Sequence, residues 1–424
     1  MRNPRGTYKT VGRLLGKEQV KILPSMQHTD PEGMTEKFAS IAAEKMSLLR
    51  ARLTEVGRGI GNVNLPRNDP FVESPLFEFK PITGDEFEHI VSRLNITNCP
   101  LDIVDFKRTG LKYLKEGMVH VINLCFRDGE FPEGAKKGMI YPKLKKPDLD
   151  PENYSQYRNI TNLPMLAKII EGTIRDQLCP FIDENKLLPK YQSAYRRFHS
   201  TETALTKVYS DILMHLDKSR SVFMIFLDLS SAFDTLNHDI LVDELFAFGI
   251  RDRALGVLKT YLTGRSSRDY VEGATSEARP MCYGVPQGSI LGPILFNLYT
   301  QSLAALFDSL GVSYHIYADD IEIYFPFDPS NVAGLKQRVE NIFSSVKDWM
   351  FTFQQMLNIK KTEIMMFGPR NTIEETRRSF GTIKGATLAP ADAVKSLGVW
   401  LDYKLGLTSK LDRPLGPVII RSTI

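Results

Sequence analysis

Three carboxylates carry the chemistry this sequence could perform. Asp228 ends the apolar run VFMIFL (222–227), and Asp319 and Asp320 stand side by side in YADD (317–320). A short apolar, partly β-branched run reads as a buried strand that delivers its last side chain to the end of a sheet. Around the second site Val312, Tyr314 and Ile316 alternate at even positions, whereas Ile321, Ile323 and Phe325 alternate at odd ones. A β-hairpin produces this parity flip when its turn holds the two aspartates. The strand end and the turn could then open on one cleft. Like charges gathered without water are costly unless their protons return or a cation joins them. Hard oxygen donors with no His or Cys nearby favour Mg2+ over zinc. Two such ions can activate a 3′-hydroxyl and stabilise a leaving pyrophosphate. An aspartate pair in a hairpin is also ordinary turn chemistry, so the pair alone decides nothing.

The elements that would position these groups are legible around them. Residues 35–53 place Phe38, Ile41, Ala42, Met46, Leu49 and Leu53 near one face of a helix. Residues 57–81, rich in Gly, Pro and Asn, read as a linker. A second helix opens with a capping box, Thr83 and Glu86, before the stripe Phe87, Ile90, Val91 and Leu94. After Asp228 a helix is expected over about 238–248, ended by Gly249. Residues 332–350 carry a helical pattern, and Glu363–Phe367 a short strand.

Composition is that of an ordinary globular chain, with 42% hydrophobic and 25% charged residues over 424 positions, enough for two or three substructures. No apolar run approaches the roughly eighteen residues that cross a bilayer, and no signal peptide is expected at the N-terminus. Cys99, Cys125, Cys179 and Cys282 lie far apart with no CxxC pair, so no zinc module is visible and reduced thiols in an intracellular protein are expected. A net charge of +4 is too small to indicate nucleic acid by itself. Two local basic clusters with aromatic neighbours say more: Lys136-Lys137 through Lys143, Lys145 and Lys146, and Tyr195-Arg196-Arg197-Phe198-His199. Each could equally be a solvated face.

The order of motifs is more specific than any one of them. FLDLSSAFDTLNHDIL (226–241), YGVPQGSILGPILFNLY (283–299), YADD (317–320), LNIKKTE (357–363) and KSLGVWLD (395–402) follow one another. They resemble the successive palm motifs of reverse transcriptases, and closely those of the jockey-like group of non-LTR (LINE-type) retrotransposons. Upstream, residues 126–151, 157–171 and 191–205 resemble that group's fingers motifs, and residues 7–53 its connector between endonuclease and polymerase.

The resemblance implies an α+β right-hand polymerase, with an antiparallel palm sheet, packed helices and fingers. It implies an RNA-directed DNA polymerase acting on an RNA template, a DNA primer and dNTPs with two Mg2+ ions, or Mn2+ in their place. Asp228, Asp319 and Asp320 match the catalytic and metal-binding carboxylates, with direct ligation less assured for Asp320. Phe233 matches the aromatic gate beneath the incoming sugar, whose ring would exclude a 2′-hydroxyl. Gln287 matches the residue facing the incoming nucleotide. Gly284, Gly288 and Gly292 suit close backbone approach to substrate and template. Asp234 reads as a helix-start or turn residue. Lys143 or Lys145, with Arg158, match fingers cations for the triphosphate. Lys361 matches the proposed general acid, and Leu397, Gly398, Val399 and Trp400 the primer grip.

The expected layout is a connector with a helix (1–56), a linker and helix leading into the fingers (57–94), fingers (95–220), a palm with an interleaved fingers insertion (221–402) and a tail (403–424). Three departures from the family qualify it. Asn159 stands where proline usually follows the arginine, which would loosen the fingers loop. The helical thumb is expected to be missing, and nothing upstream of the connector resembles an endonuclease. A nuclear site of action with a cytoplasmic ribonucleoprotein stage is expected, with no membrane. The rival readings are a relic that keeps the fold and some nucleic-acid binding without turnover, and an RNA-copying RNA polymerase, which Phe233 disfavours.

Overall fold

The computed structural model describes residues 23–24, 30–57, 65–66, 72–94, 99–102, 108–381, 388–403 and 405. Apart from 403 and 405, the expected tail lies outside them, as does much of the connector and of the 57–81 linker. Helices α1 (Pro31–Gly57), α2 (Gly84–Arg93) and α3 (Arg108–Asp128) precede strands β1 (Lys137–Leu144) and β2 (Tyr157–Asn162). Helices α4 (Met165–Glu184) and α5 (Thr201–Asp217) lead to β3 (Ser221–Asp228), followed by the short α6 (Ala232–Thr235), α7 (His238–Ala247) and α8 (Asp252–Leu262). Strands β4 (Arg265–Val271), β5 (Ala274–Thr275) and β6 (Arg279–Met281) precede α9 (Gly292–Tyr299) and α10 (Gln301–Ser309). The hairpin β7 (Ser313–Tyr317) and β8 (Asp320–Phe327), α11 (Val332–Thr352), β9 (Glu363–Phe367), α12 (Arg370–Phe380), β10 (Ala393–Ser396) and β11 (Val399–Asp402) complete the order.

Local chemistry sets the element ends. The Thr83 capping box forms as expected, with Thr83 Oγ1 accepting from Glu86 N and a Glu86 carboxylate oxygen accepting from Thr83 N. Helix α7 is capped by Asn237 Oδ1, which accepts from the amides of Asp239 and Ile240, and is followed by Gly249 at φ 82°.

One antiparallel sheet runs β7-β8-β3-β9. Its two faces meet different covers. Phe223, Ile225 and Leu227 join Ile321, Ile323, Phe325 and Ile364 in the main core. On the opposite face Val222, Met224, Phe226, Tyr324, Met365 and Phe367 pack with Val208 and Ile212 of α5 and Val394 and Leu401 of the β10–β11 hairpin. A strand buried on both faces shows as a continuous apolar run rather than an alternating one.

A second sheet runs β2-β1-β4-β5, with β6 also on β4, and it contains the parallel pair β1–β4. The segment 265–281 thus leaves the palm to pair with strands from the fingers range. Helix α5, within the 95–220 range expected for the fingers, instead covers the first sheet. The β1–β2 ladder runs unbroken through Pro142 opposite Asn159. The expected loosening at Asn159 is not seen, because antiparallel pairing with β1 continues before and after it along the strand.

Ile225 is fully buried in the middle of β3, between Ile323 and Ile364. Ile225→Ala is expected to destabilise the chain by about 2–5 kcal/mol through lost burial and a residual cavity. Urea unfolding reads this, and a change below about 0.5 kcal/mol, the level of ordinary surface substitutions, would contradict the packing described.

Candidate active site

The ends of β3 and β8 bring the carboxylates together. Asp228 and Asp320 are direct partners across the two strands, and Tyr317 pairs with Asp320 at the mouth of the hairpin. The tight turn takes Ala318 to φ 58°, and Asp319 follows it. The parity flip thus lies where the alternation put it. The shared charge is visible in protonation. Burial first, then Asp319 and Asp228, push Asp320 up to about 6. Burial and Asp228 also raise Asp319, while Arg158 and Lys361 pull it down.

Asp228 is held from the LNIKKTE segment. Its carboxylate accepts from Asn358 Nδ2 at 2.9 Å and pairs with Lys361 Nζ at 3.3 Å, while its carbonyl accepts from Asn358 N at 2.8 Å. Sequence reasoning missed Asn358. Its only local signal is its place three residues before Lys361 in that motif.

The 283–288 loop lies on the turn after β3. Val285 N donates to Phe233 O at 3.0 Å, and Gly284 N to Leu236 O at 2.7 Å. At φ +75°, a Cβ on Gly284 would sit 2.7 Å from Phe233 O and 2.8 Å from Asp234 Cα. At φ +113°, one on Gly288 would sit 2.8 Å from Thr161 O. The close approach expected of these two glycines is therefore to the protein's own backbone. Gln287 Nε2 donates to Asp234 Oδ1 at 2.6 Å, and Gln287 O accepts from Thr161 N at 2.7 Å. The loop thus joins the palm turn to strand β2. Asp234 stands in α6 as a helix-start residue, but its side chain does not cap the helix. Burial raises its carboxyl, and the Gln287 hydrogen bond pulls it down. The half-buried Phe233 stacks on Phe296, with ring centroids 4.4 Å apart at 25°.

The expected cations divide. Lys143 and Arg158 are opposite each other in the β1–β2 ladder, and both are exposed. Lys145 Nζ donates to Ser155 O at 2.9 Å. Burial and then the nearby cations Lys45, Lys361 and Arg158 lower its pKa, against Asp234. Arg158 therefore lies within electrostatic reach of Asp319, and Lys145 within that of Asp234. Lys136 leaves the basic cluster: it is buried against Glu133 at 2.5 Å. Arg196 also leaves its cluster, with Nη1 donating to Pro189 O at 2.9 Å and Gln192 O at 3.0 Å. That segment still offers solvent both aromatic and basic side chains: Tyr195 is 60% and Phe198 93% exposed, both at positive φ, and Arg197 and His199 are exposed beside them.

Leu397 (φ 45°) and Gly398 (φ 89°) form the two-residue turn of β10–β11, and Trp400 lies opposite Lys395. The hairpin is tied to β8 by Ser396 Oγ donating to Glu322, two residues from Asp320.

Among the described residues no three His, Cys, Asp or Glu side chains close on a point that could hold a metal ion. The carboxylates stand open, with Asp228 turned to Asn358 and Lys361. Their chemistry nevertheless fits a hard divalent cation: an all-oxygen set in which Asp228 raises the protonation of Asp319, and both raise that of Asp320.

The chain is similar to known proteins over most of its length. The family described as "Reverse transcriptase (RNA-dependent DNA polymerase)" matches residues 144–401, more than half of the chain. The chain is 28% identical over 348 residues to the probable RNA-directed DNA polymerase from transposon BS of Drosophila melanogaster, covering 79% of this chain and 37% of that protein. It is 26% identical over 350 residues to the RNA-directed DNA polymerase from mobile element jockey of the same species, covering 80% and 37%. With the probable RNA-directed DNA polymerase from transposon X-element, also of Drosophila melanogaster, the identity is 27% over 382 residues, covering 88% and 40%. The chain therefore spans well under half the length of these relatives. A solved apo telomerase from Candida tropicalis, truncated from its C-terminal domain, is 13% identical with a TM-score of 0.44, covering 63% of this chain and 53% of that one.

Asp320 binds its proton more tightly in the folded chain than in the unfolded one, where a carboxyl titrates near 3.8. Its contribution to stability is thus present below about pH 4 and lost as the pH rises through about 6. In EDTA, Asp320→Asn is expected to raise the unfolding midpoint at pH 7, with the gain shrinking as the pH falls towards 4. A gain of equal size at both pH values would show that this carboxylate carries no pH-linked cost.

Proposed function

Since the chain belongs to the reverse transcriptase (RNA-dependent DNA polymerase) family, we propose that it extends a DNA primer on an RNA template, using dNTPs, as part of a non-LTR retrotransposon. The observation that carries this reading is the meeting of Asp228, Asp319 and Asp320 at one sheet end, with Arg158 and Lys361 acting on Asp319.

Reverse transcriptase domains use divalent metal. Here Asp228 and Asp319, with Asp320 beside them, would hold two Mg2+ ions, which when bound supply activation of the primer 3′-hydroxyl and charge neutralisation on the leaving pyrophosphate. The protein's own groups do the rest. Arg158 with Lys143 or Lys145 draws the triphosphate towards the carboxylates by charge. Phe233, backed by Phe296, forms a flat floor under the sugar, where a 2′-hydroxyl would collide with the ring. Gln287, held by Asp234 and by the Thr161 amide, presents a fixed side chain towards the incoming nucleotide. Lys361, already paired with Asp228, can pass its Nζ proton to the departing pyrophosphate. The Leu397–Trp400 hairpin would steady the primer end. No helix among the described residues is long and apolar enough to cross a membrane. The proposed setting is the nucleus, after a cytoplasmic ribonucleoprotein stage.

Two substitutions test this reading. Asp319→Asn should abolish primer extension on an RNA template with Mg2+ and dNTPs while leaving RNA binding nearly intact, since one charge and one hard oxygen ligand are lost. Extension at the unsubstituted rate would refute the assignment. Phe233→Val should open room for a 2′-hydroxyl and lower the ratio of kcat/KM for dNTP over rNTP. An unchanged ratio would return Phe233 to the core.

A further inference from the structure

Helix α1 lies outside the motifs assigned above, yet one of its side chains reaches the turn that carries Phe233. The Arg50 guanidinium donates from Nη2 to Thr235 O at 2.6 Å and from Nη1 to Gln354 Oε1 at 2.5 Å. Its Cζ lies 3.5 Å from the ring centroid of Tyr283. Thr235 ends the short helix that begins at Ala232, so its carbonyl lies just beyond Phe233 and Asp234. Tyr283 immediately precedes Gly284, where an added Cβ would collide with those same two residues, and Val285 N donates to Phe233 O. Gln354 Oε1 also accepts from Asn237 Nδ2 at 2.9 Å, and Asn237 caps the helix that follows. One planar fork thus holds the Phe233–Asp234 turn, the loop that carries Gln287 and the end of α11.

These partners are two carbonyl oxygens and a ring face. A charged group placed against such partners gives geometry rather than ion pairing, and a guanidinium offers two fixed donors and a stacking plane at once. Helix α1 is anchored separately at its other end. There Glu36 pairs with Arg279 at 3.0 Å and accepts from Glu277 N at 2.6 Å. Arg50 is therefore not the sole attachment of the helix.

We propose that Arg50 is a positioning residue that sets the height of the Phe233 ring against the 283–288 loop, so that the N-terminal helix tunes the choice between deoxyribo- and ribonucleotides. This rests on the reading of Phe233 as the floor beneath the sugar. Arg50 acts through Phe233, and the two substitutions must therefore be non-additive.

The experiment measures kcat/KM for dNTP and rNTP on an RNA template with a DNA primer, using the full chain. The variants are Arg50→Met, Arg50→Lys, Phe233→Val, the Arg50→Met/Phe233→Val double variant, and Glu36→Gln as a control for general loosening of α1. Arg50→Met should lower the dNTP over rNTP ratio about tenfold. Arg50→Lys, which keeps the charge but not the planar fork, should fall between it and the unsubstituted chain. Glu36→Gln should leave the ratio unchanged whatever its unfolding midpoint. In the Phe233→Val background, Arg50→Met should have no further effect. If Arg50→Met does not fold, the lysine variant decides: a ratio equal to that of the unsubstituted chain overturns the proposal. So does additivity in the double variant, or an equal fall in Glu36→Gln. If Phe233→Val itself leaves the ratio unchanged, the sugar-floor reading fails, and that outcome is distinct from a failure of Arg50 alone.

Discussion

The structure depends on keeping three carboxylates together at the end of a sheet. Asp228 and Asp320 are fixed opposite each other by β-pairing, and Asp319 follows one turn away. Burial first, and then the neighbouring carboxylates, raise the protonation of Asp319 and Asp320. A flexible loop would relax by separating the charges. A strand buried on both faces and paired on both edges does not give way, so the charge density persists where a cation can use it. The surroundings supply partial relief: Lys361 and Asn358 on Asp228, and Arg158 near Asp319.

That rigidity explains the unequal use of polar and apolar contacts. Away from the cleft the sheet is sealed by Phe, Ile, Leu and Met on both sides. At the cleft the joints are hydrogen bonds: Gln287 to Asp234, Thr161 to Gln287, Val285 to Phe233 and Arg50 to Thr235. Apolar contacts are non-directional and exclude water. A groove for a charged polymer must stay wet and still hold angles, and directional bonds from backbone groups can do both.

Much of this was legible in the sequence because it is local. The apolar run 222–227, the parity flip around Asp319 and the Thr83–Glu86 capping box each follow from the period or reach of a single element. What escaped were contacts between distant segments. Asn358 on Asp228, Gln287 on Asp234 and Arg50 on Thr235 span 130, 53 and 185 residues. No periodicity encodes such pairings; they exist only once the fold has brought these segments together. Two members of the basic clusters misled for a related reason. Lys136 and Arg196 look free in the sequence, but Glu133 and the carbonyls of Pro189 and Gln192 take them up.

Chain order explains why so many distant segments converge on the cleft. Strands β4 and β6 leave the palm range to pair with the second sheet, and the 283–288 loop returns from them directly onto the turn after β3. The loop carrying Gln287 is therefore the return path between the two sheets, held at one end by Phe233 and at the other by Thr161. A shift of β1 and β2 relative to the β3 sheet must pass through it. The position of β1 and β2 and the geometry of the Phe233 turn are then one mechanical variable rather than two. Helix α1 crosses the same seam from outside, with Phe38 against Tyr154 and Tyr157 at one end and Arg50 on the Phe233 turn at the other. Two independent straps over one seam make the separation of the sheets a property of the fold.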